Sequence, residues 1–160
     1  MRMLTSLHPN PRNPQVGGMM REIVINACYG GFSISKECAK YMAKKGHKGA
    51  KAELYRWNRD NKAIKYFLKT GKWNVKNHNF LEIDAKYHSE PTFHGYGYSK
   101  NHGEYKRDDL ILIEAIKKLG KKANGSCADL SIVKIPNNVK WSIEEYDGNE
   151  WIAEKHRTWN

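Results

Sequence analysis

The stretch IVINACYGGF, residues 23–32, constrains the fold most. Ile23, Val24 and Ile25 are β-branched strand formers. The run then meets Tyr29-Gly30-Gly31-Phe32, where paired glycines permit a tight turn with positive φ. A helix start follows, so the opening unit reads as strand, glycine turn, helix. The plain interpretation is a buried strand and its turn. The sharper one is a ligand loop: Gly30 and Gly31 present backbone N–H groups to an anion, and Tyr29 and Phe32 flank them to stack a base. The third glycine of a dinucleotide fingerprint and the Gly-Lys-Ser/Thr of a phosphate-binding P-loop are both missing.

Ser33 or Ser35 caps the first helix, in which Cys38, Ala39, Met42 and Ala43 recur at helical spacing before Gly46 stops it. Its dipole would favour a phosphate, although Glu37 already suits that place. Residues 47–106 are expected as an insertion. Within it, 52–57 reads as a short strand, and Asp60 as the cap of a helix running to Leu68. One continuous helix over 50–68 is the competing interpretation. Residues 80–83 read as a strand, and 88–105, rich in Gly, His, Tyr and Ser, as a long loop or hairpin excursion. Periodicity returns with Asp108 as cap, Asp109 in the first turn, and Leu112, Ile113, Ile116 and Leu119 on one face ahead of Gly120. Asn124-Gly125 favours a turn. Residues 130–135 form an apolar strand. Val139, Trp141 and Ile143 alternate with polar residues in another, and Asp147-Gly148 signals a hairpin. An extended last strand over 150–159 would put Trp151, Lys155, Arg157 and Trp159 on one face. The pattern predicts an α+β fold: a mainly antiparallel sheet with two or three packed helices, in one domain over 19–160. Residues 1–18, with three prolines and no apolar segment of signal-peptide type, are expected to form a flexible arm.

Charge narrows the partners. Lys and Arg number 28 against 17 acidic residues, a formal charge of +11. This favours nucleic acid, a nucleotide or an acidic surface, although lysine also serves solubility. No run of about 18 apolar residues suggests a membrane span. Cys28, Cys38 and Cys127 form no C-x-x-C pair; Cys28 and Cys38 read as buried thiols in a reducing compartment, not as a disulfide framework.

Several chemistries can be weighed. His78, His88, His94 and His102 lack the helical i, i+4 spacing and the cysteine pairs of a zinc site, so no metal and no cofactor is expected. Cys28 before the glycine turn is a conceivable nucleophile without an evident base. The pairs Glu144/Glu145 and Glu150/Glu154 could share acid–base work, but in so basic a chain they read as surface partners of lysines. The balance is against an enzyme. Basic and aromatic residues interleave over 55–59 and at Lys65-Tyr66 and Lys72-Trp73, as in proteins that bind nucleic acid. A small nucleotide needs the same groups in a pocket: cations, a stacking ring and an orienting amide. The candidates are Tyr29, Gly30, Gly31 and Phe32 on the turn, Arg107 at a helix start, Asn124 on a turn, and Lys155, Arg157 and Trp159 near the C-terminus. Their plain alternatives are a pair of Arg107 with Asp109, a positive φ at Asn124, and a core-capping Trp159.

Three blocks carry a resemblance: IVINxCYGGF, RDDxxLxxxIxxLGxKANG and IEEYDGxEWxAEKHRTW. With them the chain resembles a family of small phage and prophage proteins, and is similar to the Thoeris anti-defence sponge proteins. Those capture cyclic ADP-ribose signals made by host TIR enzymes and do not cleave them. The resemblance covers roughly 22–45 and 107–159. It implies sequestration in the host cytoplasm by a homo-oligomer with pockets at subunit contacts. The site residues above come from their own chemistry and not from the resemblance. The long His- and Lys-rich middle segment and the Pro-rich arm depart from the compact members.

Overall fold

A computed structural model describes residues 18–93 and 106–155, and the backbone of 95–96. The fold is α+β, and the described residues form three antiparallel strand pairs and four α-helices. Strand β1 (Met20–Asn26) pairs with β4 (Leu130–Pro136), Met20 opposite Pro136 and Asn26 opposite Leu130. The short β2 (Ser33–Ile34) pairs with β3 (Gly95–Tyr96). Strands β5 (Trp141–Tyr146) and β6 (Asn149–Glu154) form the expected hairpin. Asp147 and Gly148 both take positive φ, 49° and 85°, as a tight two-residue turn requires.

Helices α1 (Lys36–Lys44) and α4 (Leu110–Leu119) have legible causes. Ser35 caps α1, its hydroxyl accepting from the Cys38 N–H. Asp109, one residue later than expected, caps α4: its carboxylate accepts from the N–H groups of Ile111 and Leu112. The shift leaves Arg107 and Asp108 in the turn before the helix. Val24, Ile34, Cys38, Met42, Leu112, Ile113 and Ile116 close the main core between β1, α1 and α4. Burial pushes the Cys38 thiol up to about 12, with Glu53 adding to the effect. At the surface, hydrogen bonds from Lys45 and Tyr41 hold the Glu114 carboxyl below its usual range.

The middle segment departs most from expectation. Residues 52–57 are not a strand. They belong to one helix, α2 (Lys48–Thr70), so the continuous reading is correct and runs slightly further at both ends. His47 caps it by accepting from the Ala50 N–H, and Gly71 ends it at φ 69° with its N–H on the Phe67 carbonyl. Asp60, expected as a cap, lies mid-helix and pairs with Arg59 at 2.8 Å. Residues 80–83 are not a strand either but part of helix α3 (Asn79–Tyr87), where Leu81 is buried and Phe80 and Ile83 are exposed. Four apolar residues carry too little period to separate the two.

Helix α2 serves two cores. Its first half packs on α1 and places Ala50 in the main core, while its second half joins α3 around Ala63, Ile64 and Leu81, with Trp73 and Val75 alongside. Trp73 stacks between Phe67 at 4.3 Å and His78 at 4.9 Å. Residues 88–93 return to α2, where the Trp57 indole donates to the Pro91 carbonyl. The rest of the expected 88–105 excursion, apart from β3, lies outside the described residues. So does the arm except residue 18, and so does the expected extension of β6 beyond Lys155. Among the described residues no helix is long and apolar enough to cross a membrane.

The two cores should separate in experiment. Met42→Ala should lower global stability by about 2–5 kcal/mol. Leu81→Ala should chiefly speed amide exchange in α3 and the second half of α2, leaving β1 and α4 protected. Equal loss of protection everywhere in Leu81→Ala, read by hydrogen-exchange mass spectrometry, would show a single cooperative unit.

Candidate functional site

Three loops meet where β1 ends: the glycine turn that follows it, the connector 124–129 before β4, and the β5–β6 turn. Asn26, the last residue of β1, holds them. Its side-chain amide donates to the carbonyls of Cys28 and Gly148 at 2.6 and 2.7 Å, and its oxygen accepts from the Asp129 N–H at 2.8 Å. Asn26 is fully buried, so each of these bonds replaces one it would otherwise make with water.

Beneath the loops lies a buried ion pair. Arg107 is only 4% exposed and grips Glu150 with both nitrogens of its fork, at 2.7 and 2.8 Å. The Glu150 carboxylate also accepts from the Asn26 N–H at 2.8 Å. The Arg107 carbonyl accepts from the Val24 N–H, which fastens the turn before α4 to the middle of β1. Phe32 lies over the guanidinium, 3.4 Å from its carbon to the ring centroid. Bidentate geometry and ring stacking are what arginine offers and lysine does not. The Arg107 Nε is buried with no hydrogen-bond partner.

Glycine is obligatory above this pair. A Cβ on Gly30 would stand 1.6 Å from the Cys127 carbonyl oxygen, and one on Gly148 would stand 2.5 Å from the Gly31 nitrogen. The three loops therefore pack backbone against backbone. Gly31 differs: it has φ +83°, and the position of its Cβ is open. Beside it Tyr29 is 68% exposed. The outer face of the cluster thus offers an exposed ring and the open Cα side of one glycine, Gly31, whose nitrogen lies against Gly148.

Of the expected site residues, the fold brings together Tyr29, Gly30, Gly31, Phe32, Arg107 and Asn124, each in a definite place. Arg107 does not pair with Asp109; its charge is committed to Glu150, so it supports the turn from below. Phe32 faces inward on Arg107. Asn124 does not supply positive φ, having φ −68°. It ties the connector to β4 instead, its oxygen accepting from the Leu130 N–H and its amide donating to Asp129. Lys155 stands apart. Its N–H pairs with the Lys140 carbonyl at the far end of the hairpin. Seven extended residues, about 23 Å, separate it from Gly148. Arg157 and Trp159 lie outside the described residues. The start of α1 is closed to a phosphate, because Ser35 both caps it and donates to the Lys122 carbonyl.

Asn26 and Glu150 escaped sequence reasoning. Asn26 interrupts an apolar strand run, a signal that a polar hub is being buried. Glu150 was expected on a sheet surface and is instead buried. Its inward place follows from the β6 alternation, which turns Trp151 outward. Cys28, expected to be buried, is half-buried. Its thiol lies within 3.3 Å of the Asn26 side-chain oxygen and 3.2 Å of the Cys127 carbonyl. Cys38 is buried as expected and Cys127 is exposed, all three thiols being free. Among the described residues no three His, Cys, Asp or Glu side chains gather as a metal-ligand set.

Fold and site together define a small α+β protein with a backbone-packed loop cluster over a buried Arg–Glu pair. No protein-family model matches the chain, and no curated protein or solved structure matches it significantly.

Breaking this pair from one side should be costlier than removing it whole. Arg107→Met leaves Glu150 buried without its counter-charge and should cost about 3–5 kcal/mol in denaturant unfolding. The double variant Arg107→Met/Glu150→Leu should recover at least about 1 kcal/mol of that loss. Additive losses in the double-mutant cycle would contradict the coupling.

Proposed function

We propose that the protein captures a small anionic nucleotide at the loop cluster and holds it without cleaving it, in the manner of the sponge proteins that its sequence blocks resemble. One observation carries the reading: chain segments remote in sequence converge on one loop cluster, in which Tyr29 is exposed and the Cβ side of Gly31, two residues on, is open. An exposed ring and an open glycine are what a stacked base and a phosphate-bearing ribose can use. Capture suits the surroundings better than turnover. Glu150, the carboxylate beneath the loops, is spent on Arg107 and Asn26, and the Cys28 thiol faces oxygen acceptors.

Within one chain the cluster leaves the phosphates without Lys155, which lies at the other end of the hairpin. A pocket shared by two copies resolves this, the end of β6 from one copy closing over the glycine turn of the other. Two protomers can enclose a ligand that one face leaves exposed. Sequestration then depends on slow release.

The test is ligand recovery. Purified protein mixed with cyclic ADP-ribose, desalted and heated should release the nucleotide at unchanged mass. Tyr29→Ala should weaken capture by on the order of tenfold, and Arg157→Ala should abolish it. Light scattering of the purified protein should show an oligomer. A cleaved product, or no retained nucleotide across ADP-ribose-type and cyclic-dinucleotide ligands, would overturn the proposal.

A further inference from the structure

The solvent face of α2 takes no part in the loop cluster, and its chemistry is one-sided. The helix carries seven Lys or Arg residues and two acidic ones. Both carboxylates lie off the outer face: Glu53 is buried, and Asp60 is half-buried and holds Arg59. The exposed cations Lys48, Lys51, Arg59, Lys62 and Lys69 are spaced to fall on one ridge. From Lys48 to Lys69 this ridge is about 32 Å long.

Two tyrosines occupy the same ridge. Tyr55 is 71% exposed and Tyr66 41% exposed. Spacings of three and four residues run through the cations and both rings without interruption, so phosphate-binding charge alternates with stacking surface. On the flank, Arg59 borders a cleft of about 260 Å³ that Lys76, Asn77 and Phe80 also line. Phe80 is 58% exposed there. Ala50, Ala63 and Ile64, through which α2 enters the two cores, lie off this ridge.

We infer that this ridge binds single-stranded nucleic acid, with the lysines along the phosphates and unpaired bases on Tyr55 and Tyr66. Charge complementarity selects a polyanion, and the two exposed rings select one whose bases are free to stack. A duplex meets the lysines equally well but gives the tyrosines nothing to stack on. This surface is separate from the loop cluster and stands or falls independently of nucleotide capture there.

Fluorescence anisotropy of the full chain with a labelled dT20 strand and a 20-base-pair duplex, across a sodium chloride titration, tests it. The single strand should bind more tightly than the duplex. The triple variant Lys51→Glu/Lys62→Glu/Lys69→Glu should flatten the dependence of log affinity on log salt by about two, roughly 0.7 per lost contact. Tyr55→Ala and Tyr66→Ala should each weaken binding by on the order of tenfold and leave the salt dependence unchanged. A control triple, Lys118→Glu/Lys121→Glu/Lys140→Glu, matches the change in net charge and should shift affinity by less than about threefold. Equal loss in both triples, equal binding of strand and duplex, or full binding by the two tyrosine variants would overturn the inference. Far-ultraviolet circular dichroism confirms that each variant is folded.

Discussion

The Arg107–Glu150 fork ties together three parts of the chain that no local rule would join. Arg107 belongs to the turn before α4, Glu150 to the last described strand, and the Asn26 N–H that completes the carboxylate's shell to the end of the first. A buried pair of this kind contributes little net stability, because removing two charges from water costs roughly what their attraction returns. It discriminates strongly between arrangements, however. Slide the β5–β6 hairpin by one residue and Glu150 faces water while Arg107 stays buried without a counter-charge. The pair therefore fixes one register for a hairpin that makes no backbone ladder with β1.

That register has a consequence at the surface. With β6 in place, Gly148 lies against Gly31, and Asn26 can reach the Gly148 carbonyl. The glycine turn, the connector and the hairpin turn become a single backbone-packed unit, and Tyr29 is left standing outside it. The buried charges and the exposed ring are thus two ends of one construction. Phe32 joins them, since its ring covers the guanidinium and its neighbour Gly31 forms the open patch.

Much of this was legible from residues alone, for identifiable reasons. The strand-turn-helix opening, the α4 face and the hairpin turn at Asp147-Gly148 each combine a clear period with turn or cap residues close by, so the elements are legible even where the cap itself falls on Asp109 and not on Asp108. The 47–87 region lacks that agreement. Helix α2 buries only Ala50, Glu53, Ala63 and Ile64, so its apolar stripe is thin and its length must be read from propensity and from Gly71. Asp60 imitates a cap because aspartate favours caps, yet here it serves an ion pair on the helix flank. Arg107 is expected from sequence as a ligand cation or as the partner of Asp109; its pairing with Glu150 is not foreseen, because joining a turn arginine to a strand glutamate 43 positions away requires the fold. Asn124 was read as a turn residue by composition, whereas its side chain acts as a tether.

The thin stripe of α2 also explains where the charge of the chain can act. A helix that contributes small side chains to two separate cores needs only a narrow inner face. The rest of its circumference is left to whatever solvent or a partner requires. Solubility asks for charges of mixed sign, since alternating Glu and Lys at helical spacing would stabilise the helix as well. The outer ridge instead has one sign, gives up those i, i+4 pairs and exposes two tyrosines. A surface that gives up stabilisation the helix could have had is better explained by a polyanion that restores the balance than by water alone. The loop cluster answers a different need, holding one exposed ring and an open glycine on a rigid floor. The two surfaces differ in kind: the loop cluster spends its buried arginine on Glu150, whereas the α2 ridge leaves its lysines exposed.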